Sequence, residues 1–231
     1  MTIRAAVCAA LLAGLSLAGC TTPSAHAPNA TPQEVAAAAY RHDGPPAITL
    51  YTMINNNSEA GAHSSIMINA PSQRVIFDPA GSVRAKYLVE SDDVLYGITP
   101  RIEDFYERAH ARETYRVRIQ RIEVPADVAE RALQIVENYG AVAQTQCTVA
   151  TSGVLSQLRG FEQINRTWFP KNLAEQLAEM PGVTERVVRE NDADDKSVAI
   201  SEFGTEQATM DSQGQSGAQT QAQVQQGQAV Q

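Results

Sequence analysis

Gly61-Ala62-His63-Ser64-Ser65-Ile66-Met67-Ile68-Asn69-Ala70-Pro71-Ser72-Gln73-Arg74-Val75-Ile76-Phe77-Asp78 reads as two strands joined by a tight turn. Apolar and β-branched residues cluster in 63–69 and 74–78, and Ala70-Pro71-Ser72-Gln73 between them supplies turn chemistry. An antiparallel hairpin of this length brings His63, near the start of one strand, to the same end as Asp78, at the close of the other. An imidazole that moves protons needs a partner to fix its tautomer and ring orientation, and a carboxylate can be that partner. Both side chains must share a face for this to work.

Working outward, 48–54 is apolar enough for a strand before the hairpin, and Pro100 opens a short helix over 98–110. Residues 114–124 alternate as a half-buried strand, with Tyr115, Val117 and Ile119 inward, then Ile122 and Val124. That one-residue change of phase predicts a bulge. Pro125 starts a helix whose face is Ala129, Ala132, Leu133, Val136 and Tyr139, with Gly140 placed to end it. Further helices are expected over 147–158 and 170–180, the latter with Leu173 and Leu177 inward, and a last strand over 183–190. Strands first, then helices, then one or two more strands, with no internal repeat, describe an α+β domain over residues 31–204: an antiparallel sheet packed against helices.

The two ends differ from this domain. Arg4 followed by the apolar run 5–17 and Leu17-Ala18-Gly19-Cys20 reads as a secretion signal too short to remain as a membrane span. The last four residues resemble the lipobox of bacterial lipoproteins, which implies cleavage of residues 1–19 and lipid on Cys20. Thr21, where an Asp would retain such a protein at the inner membrane, implies the periplasmic face of the outer membrane. Residues 20–30 form a tether rich in Thr, Pro, Ser and Ala, and Thr31-Pro32-Gln33-Glu34 is a capping box opening an Ala-rich helix to about Tyr40. Residues 205–231, rich in Gln, Ala, Ser and Gly, cannot bury enough surface to offset their ordering entropy and are expected to be a disordered tail.

Removing residues 1–19 takes one arginine and no acid from the 18 basic and 26 acidic residues of the chain, leaving a formal charge of −9. That balance argues against nucleic acid or anionic headgroups as main partners. Cys8 leaves with the signal and Cys20 carries lipid, so Cys147 is the lone free thiol in an oxidising compartment. It shares a stripe with Ala150, Val154, Leu155 and Leu158, so a packing role fits it. A reactive thiol fits as well, because a helix N-terminus and a nearby imidazolium both favour thiolate. His63 can equally cap an edge strand, and Asp78 before Pro79 can equally be a turn residue.

The order of these residues carries a resemblance. A histidine opening a strand as His-Ser-Ser-Ile-Met-Ile, an acid closing the next in Val-Ile-Phe-Asp, and a much later cysteine opening a helix resemble the circularly permuted papain-like proteins. That group holds the permuted NlpC-type peptidases and the lecithin retinol acyltransferase-like proteins, and the resemblance covers residues 48–160. It implies Cys147 as nucleophile, His63 as general base and then acid, Asp78 as the group orienting the imidazole, and backbone N–H groups at the start of the Cys147 helix as oxyanion donors. The implied activity is hydrolysis or acyl transfer at an amide or ester, with cell-wall peptide or lipid acyl groups as substrate and no cofactor. A non-catalytic envelope lipoprotein using the same fold for binding or scaffolding is the competing reading. His26, His42 and His110 show no metal-ligand spacing. Gly160-Phe161 and Trp168-Phe169-Pro170 read as groove lining or core, and Asn55-Asn56-Asn57 as a pocket gate or an ordinary turn.

Overall fold

The computed structural model describes residues 29–81 and 83–206. The lipobox with Cys20, the signal, His26 and residues 207–231 of the expected tail lie outside the described residues. Helix α1, Pro32–Ala38, opens with both arms of its capping box formed: Thr31 Oγ1 accepts from the Glu34 N–H, and the Glu34 carboxylate accepts from the Thr31 N–H. Strands β1 (Ala47–Asn55), β2 (Gly61–Asn69) and β3 (Arg74–Phe77) follow, with β2 and β3 forming the expected hairpin.

A second hairpin, β4 (Val89–Ser91) and β5 (Val94–Tyr96), extends the sheet beyond β3. Its two central turn residues, Asp92 and Asp93, have φ of 48° and 64°. This two-residue, left-handed turn is the kind that glycine usually marks, and its absence here hid the hairpin from sequence reading. Helix α2 (Pro100–His110) follows, then β6 (Tyr115–Glu123), α3 (Ala126–Glu137), α4 (Cys147–Leu155), α5 (Pro170–Ala178) and β7 (Thr184–Val188). A last helix, α6, covers 196–206 and takes in the first two residues assigned above to the tail.

The seven strands form one antiparallel sheet in the order β4-β5-β3-β2-β1-β6-β7. Both faces are covered, which accounts for the near-continuous burial of β1. On one face Ile48, Leu50, Ile66, Ile68, Val75 and Phe77 pack against α3, α4 and α5. On the other, Tyr51, Met53, Met67, Ile76, Val117 and Ile119 pack beneath α2. The bulge expected in β6 is absent: its pairing with β1 runs without a shift from Ala47↔Glu123 to Asn55↔Tyr115. Val117 and Ile119 belong to the core under α2 and Ile122 to the opposite core, so the phase change records a sheet with two buried faces. The irregularity lies instead between β1 and β2, at Met53/Ile54, beside His63.

Helix α6 closes the layer over α2. Phe203 stacks on Phe105 with ring centroids 4.3 Å apart, and the Arg101 guanidinium sits 4.5 Å over the Phe203 ring. In the sequence α6 has too few large apolar residues to stand out; it folds because α2 offers Phe105 and Ala109 as a partner surface.

Candidate active site

His63 is the third residue of β2, and Asp78 is the first residue past β3. The β2–β3 register ends at Ile66↔Phe77, and its continuation sets Asp78 across from Ser65. Alternation then puts His63, Ser65 and Asp78 on one face, the face of Met67 beneath α2. There His63 Nε2 and Asp78 Oδ1 are 2.6 Å apart. The pairing read from the hairpin is therefore present in the structure.

Two residues of α2 complete that layer. The Tyr106 hydroxyl lies 2.9 Å from the same Asp78 oxygen and 2.7 Å from Ser65 Oγ. A carboxylate only accepts, so the phenol donates to Asp78 and receives the Ser65 proton. His110 stacks beside His63 with centroids 6.1 Å apart, and its Nδ1 donates to the Tyr106 carbonyl at 2.9 Å. Gly81 lies so near that an added Cβ would fall 1.9 Å from Asp78 Oδ2. Burial alone would raise the Asp78 carboxyl, but the facing His63 and the Tyr106 donor bring it down to about 2.

Cys147 arrives from the opposite layer, as the first residue of α4. Ser64, which points to that layer, binds α4 through Thr148 Oγ1 at 3.0 Å and Thr151 Oγ1 at 2.9 Å. The thiol thus comes to the end of β2, where β3 no longer pairs, with its Sγ 3.7 Å from Thr148 Oγ1 and close enough to His63 and the Ser64 backbone N–H for both to lower it. Burial pushes the thiol up, but these donors and the imidazolium charge outweigh it and hold it at about 7, below its ordinary 9.0. For His63, burial favours the neutral ring, yet Asp78 and then Cys147 raise it to about 10. Between those values thiolate and imidazolium coexist as a pair.

Three local features prepare the nucleophile. Thr145, two residues ahead, has φ of 71°, a strained conformation for a β-branched residue. No side chain caps the first turn of α4, so its backbone N–H groups are free of a capping partner. The hydroxyls of Thr151 and Ser152 bond back to Cys147 O and Thr148 O, at 3.1 and 2.6 Å, and fix that turn.

Beside His63 lies a pocket of about 320 Å³, lined by Met53, Ala62, Ala80, Gly81, His110 and Arg112 among others. Cys147 is 7% exposed and is not part of that lining. The pocket therefore opens onto His63.

The other sequence candidates separate clearly. Phe161 is core, whereas Trp168 and Phe169 are exposed and line no part of this pocket. They sit close to the start of β2, since a Cβ on Gly61 would come 2.8 Å from Pro170 Cβ. Asn55-Asn56-Asn57 is a pinned turn: Asn55 Oδ1 accepts from the N–H groups of Asn57 and Ser58, and Asn56 donates to Glu113 O. His42 packs near Tyr40, away from the site. Sequence reading missed Tyr106, Ser65 and Gly81 and set His110 aside; the 3.6-residue repeat placing Tyr106 and His110 on one face of α2 was its only trace.

No protein-family model matches the chain, and neither curated proteins nor solved structures match it.

Proposed function

We propose that the chain is a thiol-dependent hydrolase or acyltransferase of the envelope, acting on an amide or ester through a cysteine acyl-enzyme. The observation that carries this reading is the His63–Asp78 pair at 2.6 Å, set beside the buried Cys147 so that the imidazole lowers the thiol to about 7. A buried cysteine with only a packing role rises in apolar surroundings; this one falls.

The thiolate attacks the acyl carbon, and the oxyanion that forms is stabilised by N–H groups of the first turn of α4. The imidazolium gives its proton to the leaving amine or alcohol, leaving a thioester on Cys147. His63 then takes a proton from water, or from an acceptor hydroxyl or amine, as that group attacks the thioester and frees the sulfur. Asp78 keeps the ring oriented throughout. The histidine-first order, with a later cysteine opening a helix, resembles that of permuted papain-like proteins and supports this reading, and cell-wall peptide and lipid acyl groups are the substrate classes in reach of a lipid-anchored protein. The anchor belongs to the same proposal: lipid on Cys20 rests on Leu17-Ala18-Gly19-Cys20, and an outer-membrane periplasmic location rests on Thr21.

The test is formation of the acyl-enzyme. An activated thioester or p-nitrophenyl ester incubated with native chain should release its leaving group in a burst and add one acyl mass to the peptide containing Cys147. Cys147→Ser should show neither. Acylation confined to the unfolded chain defeats the enzyme reading and leaves the scaffold reading. Metabolic labelling with a palmitate analogue, lost in Cys20→Ser, tests the anchor separately.

A further inference from the structure

The thiol chemistry makes no use of His110, yet this histidine is built as a ligand. It is 5% exposed, its Nδ1–H is committed to the Tyr106 carbonyl, and its Nε2 has no hydrogen-bond partner. A buried acceptor left unsatisfied is costly. A backbone carbonyl on one ring nitrogen is also the arrangement that turns the other toward a metal ion. The surroundings match: one donor atom each from His63, Asp78 and His110 lies within 4.8 Å of the other two, beside the pocket.

We propose that His63, Asp78 and His110 form a site for a divalent first-row transition ion of the zinc type, and that the bound ion takes His63 away from Cys147. Two imidazoles and one carboxylate suit zinc, cobalt or nickel rather than magnesium or calcium. Tetrahedral ligands about 2.0–2.2 Å from such an ion stand about 3.3 Å apart. The His63–Asp78 pair, now at 2.6 Å, has to open slightly, and the wider gaps to close. Three protein ligands leave a fourth position open toward the pocket for water or a reactant. Lys196 lines the same pocket, and its charge works against the ion, so the site binds more weakly than a closed structural zinc centre.

Silencing follows from the chemistry of imidazole. A ring that carries a metal on one nitrogen keeps its single proton on the other, so it can neither take the thiol proton nor hand a proton to the leaving group. The metal site stands without the thiol reading; only the silencing rests on it.

Cobalt(II) serves as the probe, added to the chelator-treated mature chain. Cys147→Ser should bind one equivalent, with the intense visible bands of four-coordinate cobalt and no sulfur-to-metal charge-transfer band. His110→Ala, and His110→Gln as the variant of closer volume, should weaken that binding at least tenfold, with circular dichroism confirming the fold. In the wild type, saturating zinc should slow iodoacetamide alkylation of Cys147 at pH 7 by up to about sixfold, the effect of losing His63 as its partner, and the same zinc should leave the His110→Gln rate unslowed. Absence of the cobalt bands, their survival in both His110 variants, or their loss in Cys147→Ser would overturn the site. Cobalt binding without slowed alkylation would overturn the silencing. A metal-free wild type that does not alkylate speaks against the thiol reading alone, because the cobalt spectrum is read on a chain lacking the thiol.

Discussion

Replacing His63 by alanine removes the donor and the charge that hold the Cys147 thiol at about 7. What remains is burial, the largest single influence on this thiol and one that raises it, against the Ser64 N–H and the Thr148 hydroxyl, which lower it, so the group moves back up toward its ordinary 9.0. At pH 7 the thiolate fraction then falls from about one half to about 1%, a loss of about 50-fold. A more basic thiolate is intrinsically the better nucleophile, and a Brønsted slope of about 0.45 over about two units returns roughly eightfold. For a full return to 9.0 the net expectation at pH 7 is alkylation about sixfold slower, whereas the pH midpoint moves by about two units. The midpoint is therefore the sharper readout. The assay is the pseudo-first-order rate of iodoacetamide labelling from pH 5 to 10, read by mass spectrometry of the peptide containing Cys147. The space left by the ring raises access at every pH alike and cannot shift the midpoint. An unchanged midpoint would refute the coupling of His63 to the thiol, and a wild-type midpoint at 9 or above would refute the thiolate itself.

Stability should report the same pair. The unfolded chain loses the His63 proton near 6.5 and the Cys147 proton near 9.0, whereas the folded chain loses the thiol proton at about 7 and the histidine proton at about 10. Folding stability therefore falls slightly between 6.5 and 7, is level to about 9, and falls again toward 10. In Cys147→Ser only the histidine remains, with its folded value still raised by Asp78, so urea midpoints should decline steadily from 6.5 upward; a level profile in that variant would contradict the His63–Asp78 coupling. Gly81→Ala forces a methyl group to 1.9 Å from Asp78 Oδ2, so the carboxylate has to turn away. We expect acyl-enzyme formation to drop on the order of a hundredfold with near-wild-type circular dichroism, and unchanged turnover would show that Asp78 does not orient the ring. Tyr106→Phe removes a donor to Asp78 and strands the buried Ser65 hydroxyl, with a cost of about 1–3 kcal/mol in urea unfolding. The acid limb of Asp78, followed by NMR, should rise from about 2 in that variant; a fixed value would remove Tyr106 from the site.

Much of the architecture was legible in the chain because it rests on local chemistry. The Ala70-Pro71-Ser72-Gln73 turn between two apolar runs set the β2–β3 hairpin, the capping box set α1, and Pro100, Pro125 and Pro170 marked helix starts to within a few residues. The β4–β5 hairpin was hidden by a left-handed turn made of Asp92 and Asp93 where glycine is the usual signal. The missing β6 bulge shows the other limit. One strand that feeds two cores gives the same apolar phase change as a bulge, and only the neighbours on each face distinguish them.

The candidate site divides along the same line. Sequence by itself determined that His63 and Asp78 end up together, because a short hairpin fixes the separation of its ends, and that Cys147 opens a helix as the lone thiol of the described chain. Tertiary structure alone decided that the thiol reaches His63 from the opposite layer, around the end of β2, and that α2 adds Tyr106 and His110 from residues 28 and 32 positions past Asp78. The physical reason is range. Turns, caps and amphipathic stripes are written within a few residues, whereas a contact across a sheet depends on how both of its faces are packed, and no local pattern carries that.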